Sequence, residues 1–190
     1  MSQAKTLTPQ ELRRVLDYVA TRKHAVRNRA MVLMTHWAGM RVGEVAALRI
    51  NDVLDIRGEV RSEIRLDAEQ TKGNHSRVVF VNEKLRKELA KYLALYAPIN
   101  QDQKLFYTQK RMKEGFNANT LCQHFYHLYH AVGIEGASSH SGRRSFATSI
   151  SAKGVSLRIL MRALGHKNLA TTIGYVDASD DMLRNAVELV

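Results

Sequence analysis

The sequence predicts an α+β domain, mostly α-helical, carrying a small antiparallel β-sheet. Apolar residues recur at helical spacing over most of the 190-residue chain. One stretch, residues 57 to 82, departs from that spacing and carries β-branched residues in partial alternation. No repeat, low-complexity tract or linker interrupts the chain, so a single domain over 1–190 is expected. A chain of this length buries a core without disulfides or metal.

Each element has a local reason. Thr8 can cap a first helix, Pro9 suits its first position, and Glu11 completes a Thr-x-x-Glu capping box. Leu12, Val15, Leu16 and Val19 then share one face. A second helix is expected from Asn28 to His36; it is apolar nearly all round and therefore buried. Gly39 breaks it, and a short third helix follows from Gly43 to Leu48. IRGEVRSEIRL and TKGNHSRVVFV read as two antiparallel strands, with Lys72-Gly73-Asn74 as the turn. Asn82 caps the next helix, about 83 to 96, with Pro98 beyond it. LFYT at 105 to 108 reads as a short extended piece. Further helices are expected at about 119 to 132, 140 to 153, 156 to 164, 168 to 173 and 179 to 188.

Charge narrows the function. Lys plus Arg total 29 against 18 Asp plus Glu, a formal net charge of +11. Such an excess favours a polyanion, because binding neutralises phosphates and releases their counterions. Nucleic acid is the first expectation and an anionic membrane surface the competitor. No run of about 18 apolar residues spans a bilayer, and MSQAKTLTPQE lacks a signal peptide's apolar core. The single Cys122 excludes an internal disulfide and fits a reducing compartment, so a cytoplasmic protein is expected.

Three constellations offer chemistry. Arg41, in AGMRVGEVAAL, stands after a glycine break and before a helix, with Glu44 three residues on to orient its guanidinium. A lone arginine is most often a solvated surface residue. SSHSGRRSFAT places His140 and Arg143 on one face at a helix start, near the positive end of its dipole, where a phosphate fits. The bland alternative is a capped helix with surface basic residues. In LGHKNLATTIGYVD, His166 sits in a turn and Tyr175 follows a short helix, nine residues on. Taken alone, these two read more readily as a core histidine and a packed tyrosine between two helices.

In chain order, Arg41, Lys72, His140-x-x-Arg143, His166 and Tyr175 resemble the tyrosine recombinase (phage integrase) family. The resemblance runs from about Leu7 to Tyr175. It includes LTPQEL, AGMRVGEVAALRINDV, the TKG turn, HSGRRSFAT and LGHKNLATTIGYVD. It implies the family's catalytic fold and a site-specific recombinase, a strand transferase with chemistry like that of type IB topoisomerases. Tyr175 would attack the DNA backbone and form a covalent 3′-phosphotyrosyl link. A tyrosine hydroxyl is protonated at neutral pH, so the attack needs a base or a strongly positive site. By resemblance His140 accepts that proton, His166 hydrogen-bonds the scissile phosphate, and Lys72 protonates the departing 5′ oxygen. Arg41 and Arg143 match the pair that clamps the non-bridging oxygens. Glu44 supports the site, and Arg41, Lys72, Arg143 and Arg144 face DNA. The scheme needs no cofactor, ATP or metal. Double-stranded DNA is the implied partner, and the nucleoid the implied location.

Two departures stand out. The family usually carries leucine between the histidine and arginine of H-x-L-R, where this chain has Gly142. Looser packing at that helix start is the expectation. Larger members also carry an N-terminal domain that closes around DNA, and none is expected within these residues.

His124, His127 and His130 share one helix at three-residue spacing. That spacing rotates around the helix and no acidic or cysteine partner stands beside them, so a packed or solvated helix face is expected rather than a metal site, with a DNA contact by His124 or His127 as the alternative. Met182, Leu183, Ala186, Val187, Leu189 and Val190 form an apolar stripe on the tail helix, about 179–190. It folds onto its own domain or, as in family members, passes to a neighbouring protomer in a tetramer on paired DNA sites. A topoisomerase-like enzyme and a non-catalytic DNA-binding regulator are the alternative functions. A histidine-based RNase leaves the arginines and the tyrosine unexplained.

Overall fold

The computed structural model describes residues 4–71, 73–96, 100–108, 115–175, 183–184 and 187–188. Among these, helices α1 (Pro9–Ala20), α2 (Ala25–Trp37), α3 (Val42–Ala47) and α4 (Ile50–Val53) precede a two-stranded sheet, β1 (Glu63–Leu66) and β2 (Arg77–Phe80). Helices α5 (Glu83–Leu95), α6 (Ala118–Ala131), α7 (Ser141–Ser151), α8 (Leu157–Leu164) and α9 (Leu169–Ile173) follow.

The start of α1 is built as its sequence requires: Thr8 Oγ1 accepts from the Glu11 amide, and Glu11 Oε2 accepts from the Thr8 amide. Helix α2 begins three residues earlier than its apolar pattern suggested, because Arg27 and Asn28 are themselves buried in its first turn. Residues 30 to 35 are all buried, as an all-round apolar helix demands. Helices α1, α5 and α7 pack around it, and α3 packs on α6.

The sheet is shorter than expected. Asp55 Oδ1 accepts from the amides of Arg57 and Glu59, which folds residues 55 to 59 into a turn, and pairing starts only at Glu63. The strands are antiparallel, with Ile64 opposite Val79 and Leu66 opposite Arg77. LFYT forms no strand. Lys104 makes an isolated bridge with Arg49, and Leu105 and Phe106 are buried beyond it. The short α4 had no sequence signal of its own. The hairpin residue Lys72 and most of the tail stripe lie outside the described residues.

Gly142 does the opposite of what its sequence suggested. It is the contact point of α7 on α2, and an added Cβ would lie 2.2 Å from Thr35 Oγ1 and 2.9 Å from Thr35 Cβ. Packing there is tight, and the missing side chain is what lets the two helices meet.

Candidate active site

The site is built around a buried carboxylate. Glu44, 1% exposed, lies in the first turn of α3 and accepts four hydrogen bonds. Its Oε1 accepts from Arg41 Nη1 (2.9 Å) and Arg77 Nε (3.0 Å). Its Oε2 accepts from the Arg41 amide (2.7 Å) and Arg77 Nη2 (2.6 Å). Burial by itself would raise the Glu44 pKa; the Arg77 hydrogen bonds and charge, with the Arg41 amide, outweigh it and hold the group below the usual carboxylate range. Arg77 also donates from Nη1 to the Ala163 carbonyl at 3.1 Å, tying β2 to the end of α8. The next residue but one, Gly165, is in the left-handed region at φ +63°, and a Cβ there would meet Arg77 Cδ at 2.5 Å. Only glycine fits both the turn and the arginine passing over it.

Arg143 reaches in from α7 and is fully buried. Nη1 donates to the Gly39 carbonyl at 2.6 Å, and Nη2 donates to the Leu164 carbonyl at 2.5 Å and to His166 Nε2 at 2.9 Å. Among the described residues its Nε has no hydrogen-bond partner. Burial first, then the Arg41 and Arg77 charges, lowers its pKa to about 9, which leaves it a cation at neutral pH. An arginine only donates, so His166 Nε2 must accept. The ring proton therefore sits on Nδ1, 3.0 Å from Thr172 Oγ1. Burial, with the Arg143, Arg41 and Arg77 charges, pushes His166 down to about 4, so the ring is neutral. The Tyr175 ring lies 5.2 Å from the His166 ring, centroid to centroid, on a small apolar cluster of Ala147, Leu160 and Leu164. Two guanidinium groups thus share one carboxylate, and a third, Arg143, stands close by beside a tyrosine, an excess of positive charge suited to an anion.

The model of the phage integrase family matches residues 5–182. The chain belongs to the phage integrase family. Tyrosine recombinase XerA of Pyrococcus furiosus is 29% identical over 185 residues, 97% of this chain and 61% of the relative. XerA of Thermococcus kodakarensis is 31% identical over 97% of this chain and 62% of its own. The chain thus spans about six tenths of the length of these relatives. Among solved structures, XerA recombinase superposes with a TM-score of 0.76 at 28% identity, covering 100% of this chain and 64% of that one. XerH bound to its difH substrate in a pre-cleavage complex gives 0.66 at 26% identity, over 96% and 53%. The Tn1549 transposon integrase, at 18% identity and 0.73, shares the fold.

The family motif residues come from separate parts of the chain, and the fold gathers Arg41, Glu44, Arg143, His166 and Tyr175 into one cluster. His140 stands at the N-cap of α7, exposed, one turn before Arg143. Arg144 is 7% exposed, with its guanidinium turned to Thr6 Oγ1 and the Gly174 carbonyl. Sequence reasoning missed Arg77 and Thr172. Arg77 had a signal: it is in phase with Val79 and Val81, the buried positions of β2 and its continuation. Thr172 had none beyond its place three residues before Tyr175.

The α6 histidines do not converge. His124 is half-buried against Phe116, and burial, then Arg27, lowers its pKa to about 4. His127 and His130 are exposed, and both lie against the Tyr126 ring. Among the described residues no three His, Cys, Asp or Glu side chains are placed to hold a metal, and no helix is long and apolar enough to cross a membrane.

Proposed function

We propose that this chain is the catalytic domain of a site-specific DNA recombinase, which cleaves and rejoins strands through a 3′-phosphotyrosyl link at Tyr175. The observation that carries it is the cluster itself: Arg143 bonded to His166, with the Tyr175 ring against that histidine and Arg41 held by the same buried glutamate that holds Arg77. The relatives are named tyrosine recombinases, and XerH was captured on a DNA substrate.

The chemistry follows from the groups present. Attack by the Tyr175 oxygen on phosphorus spreads negative charge over two non-bridging oxygens, which Arg41 and Arg143 neutralise. Arg143 Nε–H, without a partner among the described residues, is a donor already in place. When a phosphate draws Arg143 Nη2 from His166, the ring can move its proton to Nε2 and donate to the phosphate, with the Thr172 hydroxyl then donating to Nδ1. His140 takes the tyrosine proton, and Lys72 gives one to the departing 5′ oxygen. The phosphotyrosyl bond conserves the diester energy, so a second 5′-hydroxyl reseals the strand without ATP. Double-stranded DNA is the substrate, at the nucleoid.

Assembly on paired sites as a tetramer, through the tail, belongs to the same proposal. Leu183 and Val187 are 59% and 73% exposed, apolar surface that a neighbouring protomer would cover. Deleting residues 179 to 190 should weaken assembly more than single-strand cleavage. Equal loss of both, with an unfolded product, would count against the tail's role.

The test is covalent trapping. Nicked duplexes that lose a short fragment on cleavage are incubated with wild type and Tyr175→Phe, and DNA-linked protein is read on a denaturing gel. An adduct in wild type alone, mapped to Tyr175, is the expected result. Tight, specific DNA binding with no adduct would overturn the catalytic reading in favour of a regulator.

A further inference from the structure

We propose that Arg144 is a positioning residue for the nucleophile, which fixes the Gly174–Tyr175 peptide to α7 and to the segment before α1. The inference rests on the reading of Tyr175 as the nucleophile and assigns a role to a residue whose place in HSGRRSFAT pointed to a DNA contact.

Arg144 and Arg143 are neighbours on α7 but turn to different partners. Arg143 enters the cluster with His166. Arg144, 7% exposed, faces the protein interior: Nη1 donates to the Gly174 carbonyl at 3.1 Å and Nε to Thr6 Oγ1 at 3.2 Å. The Gly174 carbonyl belongs to the peptide that carries the Tyr175 nitrogen. One turn along α7, Thr148 Oγ1 lies 3.4 Å from the Tyr175 carbonyl and 3.1 Å from the Arg144 carbonyl. Two side chains of one helix thus address the two consecutive carbonyls that flank the tyrosine's Cα.

This matters because Tyr175 follows a very short helix and otherwise rests, among the described residues, on side-chain packing against His166 and the Ala147, Leu160 and Leu164 cluster. Helix α9 is one turn and a half, and its last amides bond within it, from the Tyr175 amide to the Thr172 carbonyl and from the Gly174 amide to the Ala170 carbonyl. Thr172 also holds His166. A shift of this turn would move the nucleophile and the histidine together. Bonds to α7, the helix that carries Arg143, set both against the arginine that would clamp the phosphate. The other end of the tie is the N-terminal segment, which is itself fastened: the Leu7 amide donates to Ser145 Oγ at 2.8 Å and the Lys5 amide to the Gly136 carbonyl at 3.0 Å. Arg144 is therefore a two-ended strut between residues 5–7 and the nucleophile's peptide. A charge-assisted bond of this kind, shielded from water, holds a carbonyl more firmly than a solvated one.

The experiment uses a nicked duplex that wild type cleaves, with Arg144→Met, Arg144→Lys and Thr6→Val. Single-turnover cleavage at saturating DNA, DNA affinity and melting temperature are read for each. Displacing a nucleophile by about 1 Å costs on the order of 100-fold in rate, and that loss is expected for Arg144→Met with DNA affinity within about twofold. Arg144→Lys, which can reach one partner, should recover part of the rate. A second arm uses the Tyr175→Phe background with hydrogen peroxide as soluble nucleophile. There the Arg144 substitution should slow cleavage far less than it slows the tyrosine-dependent reaction, because it acts chiefly through the tyrosine's position and otherwise only through the His166 bond to Thr172. Loss of affinity with unchanged cleavage at saturation would make Arg144 a phosphate contact and overturn the proposal. An equal fall of the peroxide reaction would also overturn it, by showing general damage to the site. If Arg144→Met does not fold, Thr6→Val decides: it keeps shape, removes one anchor, and should slow tyrosine-dependent cleavage several-fold, whereas an unchanged rate refutes the strut. Failure of the catalytic reading itself shows separately, as no Tyr175-dependent adduct from wild type.

Discussion

Replacing Gly142 with alanine puts a methyl group 2.2 Å from Thr35 Oγ1, 2.9 Å from its Cβ and 3.3 Å from its backbone carbon. Thr35 cannot step aside cheaply. It is fully buried and its hydroxyl donates to the Val32 carbonyl at 2.8 Å; turning that hydroxyl would still leave the Cβ contact. Helices α2 and α7 would have to part by roughly 1 Å to restore ordinary contact in a close-packed interior. Overpacking of this kind costs about 1–3 kcal/mol, offset by about 1 kcal/mol that alanine gains over glycine within a helix. A net loss of about 2 kcal/mol is expected at the upper end of that range. Urea denaturation should show it as a lower midpoint at unchanged slope. Thr35→Ala in the same chain removes the closest contact, so a double-mutant cycle should return a coupling of about 1 kcal/mol or more. Cleavage should fall too, by up to about 100-fold, because the same helix separation pulls Arg143 from the Gly39 carbonyl it holds at 2.6 Å. A Gly142→Ala protein more stable than wild type would refute the reasoning, since helix propensity alone would then decide the outcome.

Other expectations follow from the same geometry. Glu44→Gln leaves Arg41 and Arg77 without their carboxylate and should destabilise by about 3 kcal/mol or more; urea midpoints check this. Because the folded Glu44 pKa is held below its ordinary value of 4.5, its contribution is complete above that value and lost as pH falls below it, so the wild-type and Gln curves should converge at low pH. His36, His124 and His166 are each lowered to about 4, mainly by burial. Unfolding therefore takes up protons between about pH 6.5 and 4, and melting temperature should fall as pH is lowered through that window; NMR of the ring protons should show these three still neutral at pH 5.5, roughly midway. Thr172→Val removes the acceptor of the His166 Nδ1 proton and should slow covalent trapping about tenfold or more with little change in DNA affinity, with the ring's ¹⁵N shifts reporting loss of the single tautomer.

Much of this protein was legible from local rules. The α1 cap rests on Thr8, Pro9 and Glu11 within one turn, and α2 announced its burial by being apolar on all sides. The blocks carrying Arg41, Arg143, His166 and Tyr175 stood out only through their order along the chain, which resembles the phage integrase family; each block alone also read as surface or core residues. Other features depended on partners far away in sequence. Arg77 was one basic residue in a strand until Glu44, thirty-three positions earlier, met it in a buried pair. Gly142 read as a defect until α2 was seen to pass within reach of its missing Cβ. Arg144 and Arg143, adjacent and chemically alike, take different surroundings because α7 turns successive side chains by about 100°. Sequence alone therefore determined which groups this protein carries and the local elements that present them. The tertiary structure decided which arginines share the carboxylate, which tautomer His166 adopts and what holds the peptide of Tyr175, because each depends on donors and acceptors brought together across the core.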